Sequence, residues 1–119
     1  MYRIPEDLDL SDMVGEVTTQ IMVGQFDLQF SFGKYHFAVQ SNINLVKSGK
    51  VIGVWQEGVW PPSLFFEIMN VSVVRCRILD DRTIAIYLDN GIEIHLKDNS
   101  DQFESMYISI DGELGPWVI

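Results

Sequence analysis

The sequence predicts a single, mainly β domain made of two antiparallel three-stranded meanders. Apolar and polar residues alternate along most of the chain, which is the two-residue period of half-buried strands. Short turn motifs, most of them containing glycine, separate the alternating runs. The 119 residues, 47% hydrophobic and 21% charged, suit one globular domain spanning residues 1–119.

The first predicted hairpin lies between residues 17 and 30. Val17 to Val23 alternate up to Gly24-Gln25, a candidate two-residue turn that pairs Val23 with Phe26. The same register pairs Ile21 with Leu28.

A second hairpin completes the first meander. Gly33-Lys34 has glycine at the first loop position, as a type II′ turn prefers, and it pairs Phe32 with Tyr35. One face of the meander is therefore rich in aromatic residues: Phe26, Phe30, Phe32, Tyr35 and Phe37.

The middle of the chain predicts a hairpin and a short helix. Ile43, Leu45, Ile52 and Val54 indicate two strands joined at Ser48-Gly49. Trp60-Pro61-Pro62 then interrupts regular structure, because proline lacks a backbone donor. Ser63 can cap a helix over Ser63 to Met69, with the apolar residues largely on one face.

The clearest hairpin is Arg82 to Lys97. A two-residue Asn90-Gly91 loop would set apolar residues against polar ones, whereas a three-residue Asp89-Asn90-Gly91 loop pairs Ile86 with Ile94. We therefore predict a type I turn closed by Gly91 in the left-handed conformation. A strand containing Val74, Cys76 and Ile78 precedes this hairpin and completes the second meander.

The two halves, approximately residues 13–46 and 69–110, repeat strand, turn, strand, glycine tip and strand. Gly33 and Gly91 occupy equivalent tips, so we predict a duplication with a pseudo-two-fold axis, packed as a sandwich or a partly open barrel. A last strand, Met106 to Ile110, and an apolar tail, Pro116 to Ile119, end the chain. We expect the tail to dock on the sheet; if it does not, it is an oligomer contact. An α+β arrangement is the alternative fold class.

The hairpin tip Asp89-Asn90-Gly91, the later step Phe103-Glu104-Ser105 and the closing strand resemble a small bacterial β-rich domain family of unknown function. The resemblance covers roughly residues 69–119, and this chain has Phe103 where the family usually has tyrosine. It implies no activity. The composition is also similar, more weakly, to orphan proteins encoded on mobile gene cassettes.

The charge balance argues against nucleic acid as a partner. The chain has 17 acidic and 8 basic residues, a formal net charge of −9, and such a field repels phosphate backbones. It would attract a basic protein, although an ordinary solvated surface explains the same charge. Without a signal-peptide pattern or a long apolar run, we expect a cytoplasmic protein that does not cross a membrane.

Few residues suggest chemistry. His36 and His95 face away from the apolar stripes, and Glu93 shares a face with His95, so the two histidines could act as a general base pair, or bind a metal with Glu93, if the fold brought them together. Their simpler interpretation is as solvated strand residues. The single cysteine, Cys76, lies in an apolar stripe, which favours core packing over nucleophilic chemistry. The motifs predict no metal, no cofactor and no catalytic residue.

The tryptophans are the other candidates. Trp60 precedes two prolines in a loop, where a large aromatic residue can anchor a partner, or can instead fold over one end of the sheet. The binding residues predicted from sequence are Trp55, Trp60, Glu93 and His95.

Three functions follow from these observations. The first is a non-catalytic protein-interaction domain, such as an inhibitor, immunity-like protein or adaptor, which binds a protein partner or a second copy of itself as a homodimer. The second is a small-ligand binding module whose aromatic stripe lines a cavity. The third is a hydrolase-like enzyme that uses His36 or His95 with carboxylates.

Overall fold

The computed structural model describes residues 3–119 and confirms a mainly β fold, in which two five-stranded antiparallel sheets pack as a sandwich. The strands are β1 (Ile21–Val23), β2 (Leu28–Phe32), β3 (Tyr35–Val39), β4 (Ile43–Lys47), β5 (Lys50–Trp55), β6 (Val73–Asp80), β7 (Thr83–Leu88), β8 (Ile92–Lys97), β9 (Met106–Ile110) and β10 (Trp117–Val118). Two 3₁₀ helices, Ser11–Met13 and Ser63–Ile68, complete the described elements.

Both predicted meanders are present, and each is extended by a hairpin from the other half of the chain. Sheet 1 has the order β1-β2-β3-β9-β10, and sheet 2 has the order β5-β4-β8-β7-β6. In sheet 1 the meander β1-β2-β3 is followed by the hairpin of β9 and β10. In sheet 2 the meander β6-β7-β8 is followed, in the same direction, by the hairpin of β4 and β5. This matching order agrees with a pseudo-two-fold arrangement, while the duplication itself stays a prediction.

The inner faces of the two sheets form the core. Phe30 stacks on Phe37 with ring centroids 5.3 Å apart, and it meets Phe32 edge-on at 5.8 Å. These aromatic rings belong to one buried cluster that also contains Ile84, Ile86 and other apolar residues of sheet 2. The aromatic stripe predicted from sequence therefore packs inside the sandwich, apart from Phe26.

The hairpin of β7 and β8 has the predicted register. Ile86 pairs with Ile94, and the N–H of Gly91 donates to the Leu88 carbonyl oxygen at 3.0 Å. Gly91 has φ +86°, the left-handed conformation that a glycine adopts without steric cost. The predicted pair of Phe32 with Tyr35 is also confirmed, and so is the Ser48-Gly49 tip between β4 and β5.

The predicted register of the first hairpin was wrong by two residues. Val23 pairs with Leu28 rather than Phe26, so the loop has four residues. The N–H of Gly24 donates to the carbonyl oxygen of Asp27 at 2.9 Å, which closes this wider loop. A shift of two preserves which residues face inward, but it moves Phe26 out of the strand and into solvent, where it is 57% exposed.

A bulge changes the facing of β5. Leu45 pairs with Gly53 and Val46 pairs with Val51, so Ile52 is an extra residue between the two pairs. Ile52 and Val54 are consequently exposed, and the inward-facing residues near the end of the strand are Gly53 and Trp55.

The helix predicted over Ser63 to Met69 is a 3₁₀ helix that ends one residue earlier, at Ile68. Phe65 and Ile68 are buried on one face, as predicted. The N-cap is Pro62 and no side chain caps this end, so the predicted capping role of Ser63 was wrong.

The apolar tail docks as predicted. Ile119 is fully buried, and its N–H donates to the Met106 carbonyl oxygen at 3.0 Å. This contact continues the pairing of β10 with β9.

Candidate functional site

An open groove of about 220 Å³ lies beside Trp60. Two loops form it: the four-residue loop between β1 and β2, and the loop that follows β5. We call it the Trp60 groove and define it by Val23, Gly24, Gln25, Gly58, Val59 and Trp60.

The two loops of the Trp60 groove are joined through their backbones. The N–H of Gly58 donates to the Gln25 carbonyl oxygen at 3.0 Å, and the N–H of Val59 donates to the Gln56 carbonyl oxygen at 3.1 Å. Gly58 has φ +82°, a conformation that favours glycine at this position. The groove is therefore held by main-chain contacts that do not depend on its side chains.

Trp60 does not fold back over the sheet. Its side chain is 81% exposed, and Val59 beside it is 48% exposed. Phe26, in the facing loop, is also exposed to solvent. A cluster of large apolar side chains at a concave surface is typical of a site where another molecule binds.

Trp55 has a different environment, and the structure corrects its assignment as a binding residue. It lies at the end of β5 and is fully buried within the core cluster. Its Nε1 has no hydrogen-bond partner among residues 3–119. Trp55 is therefore a core residue that cannot contact a partner in this conformation.

Glu93 and His95 lie next to each other on the outer face of sheet 2. The Nε2–H of His95 donates to Oε1 of Glu93 at 3.0 Å, and both side chains are partly buried. Neither residue lines the Trp60 groove. The four predicted binding residues are thus not brought together: Trp60 lies in the groove, Glu93 and His95 on the outer face of sheet 2, and Trp55 in the core.

His36 lies on the outer face of sheet 1, so the two histidines are on opposite sides of the sandwich. Its Nδ1 accepts from the Ser31 hydroxyl at 2.6 Å, and its Nε2–H donates to Asp111 Oδ1 at 3.0 Å. The order serine, histidine, aspartate is one that hydrolases use.

The surroundings of His36 do not favour hydrolysis. Its side chain is 43% exposed and that of Asp111 is 70% exposed, so water surrounds the pair. Hydrolases also need free donors for the developing oxyanion, whereas β3 is a central strand whose backbone is paired with β2 and β9. The contacts of His36 therefore link three segments of sheet 1, namely β2, β3 and the turn after β9.

Cys76 packs at the edge of the core as predicted. Burial raises the pKa of its thiol to about 12, so the group is protonated at neutral pH and is a poor nucleophile. Within residues 3–119, no three His, Cys, Asp or Glu side chains are grouped so that they could hold a metal ion. None of the described helices has the length and apolar character needed to cross a bilayer.

Sequence reasoning found Trp60 but missed the loop that faces it. Val23, Gly24 and Gln25 were assigned to a strand end and a tight turn, and nothing in their local pattern indicates that they approach residues 58–60. Only the wider loop, which depends on the register of β1 and β2, makes the backbone contact to Gly58.

Searches against protein-family models, curated proteins and solved structures gave no match for this chain. The resemblance of residues 69–119 to a bacterial domain family of unknown function therefore stays a prediction.

Proposed function

We propose that this protein is a non-catalytic protein-interaction domain of the cytoplasm, which binds a protein partner through the Trp60 groove. The observation that carries the proposal is the exposure of Trp60, which is 81% accessible at the rim of a concave apolar surface. Tryptophan is among the residues most enriched at the energetic centres of protein interfaces.

The charge of the chain supports a basic partner. The formal net charge of −9 attracts positively charged surfaces and accelerates their encounter. Glu57 immediately precedes the groove residues Gly58 to Trp60 and is exposed, so negative charge lies close to the apolar surface. The affinity for a basic partner is therefore expected to fall as ionic strength rises.

The test is capture of the partner followed by direct binding. The tagged protein is used to isolate partners from cells that express it naturally, and the recovered protein is purified and titrated against wild type and Trp60→Ala. Removing a central tryptophan is expected to weaken binding by about 2 kcal/mol or more, roughly thirtyfold.

Leu114→Ala is the matched control, because Leu114 is fully exposed and lies outside the groove. It removes an exposed apolar side chain without changing the site, so its affinity should equal that of wild type. Equal weakening by both variants, or no weakening by Trp60→Ala, would contradict the proposal.

Self-association is the alternative for the same surface or for the sheet edges. β1 and β10 end sheet 1, and β5 and β6 end sheet 2, although Val73 at the start of β6 also exchanges backbone hydrogen bonds with Gly15 and Glu16. Such edges are a common route to dimers. Sedimentation of wild type and Trp60→Ala separates the cases, because a dimer that forms through the groove dissociates in the variant and a dimer that forms through the edges does not.

A further inference from the structure

The edge of sheet 2 that β5 forms is open to solvent. β5 pairs with β4 on one side, and its other side makes no backbone hydrogen bond within the part of the chain that the structure describes. The 3₁₀ helix Ser63–Ile68 packs beneath its inner face at Gly53, while Val51, Ile52 and Val54 stay 55%, 39% and 42% exposed. A row of unpaired N–H and C=O groups is a template for another strand.

The other three sheet edges are short or protected. β1 has three residues and β10 has two. β6 has eight residues, but Gly15 and Glu16 exchange backbone hydrogen bonds with Val73 at its start, and two bulges interrupt its pairing. Short strands, bulges and covering segments are devices that prevent edge pairing. β5 has six residues, one bulge and no covering segment, so it is the edge best suited to accept a strand.

The charges around β5 are arranged symmetrically. Lys50 begins the strand and Glu57 follows its end, and both lie at the same distance in sequence from the peptide bond between Gly53 and Val54. The six residues between Lys50 and Glu57 carry no charge. Both charged side chains are exposed, and neither forms a salt bridge with another residue of 3–119.

This arrangement is complementary to an antiparallel copy of the same strand. A two-fold axis beside Gly53 and Val54 brings the start of one β5 to the end of the other. Residues opposite each other on antiparallel strands lie about 4.5–5.5 Å apart and diagonal neighbours about 7–8 Å apart. Lys50 of each copy would therefore reach Glu57 of the other. A parallel copy would instead place Lys50 beside Lys50, which is repulsive.

The side chains between the two charges favour the same contact. Val51, Ile52 and Val54 are β-branched and face solvent in a single copy. Pairing of two β5 edges would bring these side chains of both copies together and remove apolar surface from water. The backbone groups, the apolar side chains and the charges thus all suit one occupant, which is a second β5.

We propose that two copies of the protein pair through β5 in antiparallel orientation, so that the two copies of the five-stranded sheet 2 form one continuous sheet. A two-fold dimer uses the same surface on both subunits, and β5 is complementary to itself in this orientation. The inference is independent of the proposed function, because it uses no residue of the Trp60 groove.

The experiment is sedimentation velocity of the full chain over a wide range of protein concentration. The wild type is expected to change from monomer to dimer as the concentration rises. Val54→Lys places two like charges near the centre of the paired edges, so it should weaken the dimer by roughly tenfold or more. Val74→Lys is the matched control, because Val74 is 50% exposed on β6, the opposite edge of sheet 2. Circular dichroism establishes that each variant is folded.

A charge exchange tests the orientation. Lys50→Glu and Glu57→Lys each replace two symmetric attractive contacts by repulsive ones, so each should weaken the dimer by roughly tenfold. The double variant restores both contacts and should dimerise as the wild type does. Glu6→Lys is the control for net charge. Glu6 is exposed and follows Ile4, which bonds the turn between β6 and β7 through Asp81, so this change should not weaken the dimer.

Any of four results would overturn the inference. They are a monomer at every concentration up to the millimolar range, equal effects of Val54→Lys and Val74→Lys, a double charge variant that dimerises no better than the single variants, and loss of the dimer in Trp60→Ala. A failure of the proposed function appears in a different measurement, as an unchanged affinity of Trp60→Ala for the captured partner, and it leaves the β5 results as they are.

Discussion

Replacing Trp55 and Trp60 by alanine, one at a time, should give opposite effects on stability and on binding. Trp55 is fully buried and Trp60 is 81% exposed. Truncation of a buried tryptophan loses its transfer free energy and leaves a cavity, so Trp55→Ala should lower the free energy of unfolding by about 3–5 kcal/mol. The same truncation on the surface changes stability by only about 0.5 kcal/mol or less.

Trp55→Phe refines this prediction. The indole N–H of Trp55 has no partner among residues 3–119, and phenylalanine removes that N–H while it keeps most of the ring volume. The smaller ring still leaves space, but loss of a buried donor without a partner offsets part of the cost. We therefore expect Trp55→Phe to be clearly less destabilising than Trp55→Ala.

The assay is urea unfolding followed by far-ultraviolet circular dichroism, which does not depend on tryptophan emission. Midpoints are compared at constant slope, because a changed slope indicates a change in the exposed surface of the unfolded or native state. A loss below about 1 kcal/mol for Trp55→Ala, or above about 1 kcal/mol for Trp60→Ala, would refute the assignment of one tryptophan to the core and the other to the surface.

Three further predictions concern a turn, an ion pair and a thiol. Gly91→Ala should lower the free energy of unfolding by about 1 kcal/mol, since φ of +86° is unfavourable for a residue with a Cβ; urea unfolding measures this, and an unchanged midpoint would contradict the proposed turn. Hydrogen bonds from Arg82 and then Arg3 lower the pKa of Asp101 below that of an ordinary aspartate. The stabilisation from this group is therefore present above the unfolded-state pKa and is lost as the pH falls through the folded-state pKa. Asp101→Asn should flatten the acid side of the stability profile, and a profile identical to that of wild type would argue against the contact. Burial raises the pKa of Cys76 to about 12, so a disulfide reagent at pH 8 should modify the native protein far more slowly than the urea-unfolded chain; similar rates would show that the thiol is accessible.

The local strand pattern was predictable because it depends on neighbouring residues. Alternation between Ile84 and Leu96, together with the Asp89-Asn90-Gly91 turn, selects one register that keeps polar residues out of the core, and the structure has that register. Gly33-Lys34 likewise joins its two strands at Phe32 and Tyr35 as predicted. In both hairpins the turn residues and the apolar stripes require the same pairing.

The predicted strand register was wrong where a loop is longer than expected or where a bulge shifts the pairing by one residue. Val23 could pair with Phe26 or with Leu28 and keep the same face inward, so alternation could not distinguish a two-residue loop from a four-residue loop. In β5 the extra residue Ile52 changes which side chains face the core, and it places Trp55 inside. Sequence alone treated Trp55 and Trp60 alike for this reason.

The candidate site depends still more on tertiary structure. Trp60 was recognisable from its position before two prolines, but its exposure and the loop facing it depend on contacts between β1, β2 and the segment after β5. A second cavity, of about 400 Å³, lies between Ser41 and the loop that follows β8, and these segments lie more than fifty residues apart.

The sequence by itself determined the β class, the two meanders and the strongest hairpins, because alternation and turn chemistry act over a few residues. Only the tertiary structure decided that each meander pairs with the hairpin of the other half, through β3 with β9 and β8 with β4. Pairing between distant strands depends on which apolar faces can be buried together, and many pairings satisfy the same alternating pattern. The groove beside Trp60 lies between the loop that joins β1 to β2 in one sheet and the loop after β5 of the other, so it too depends on how the two sheets pack.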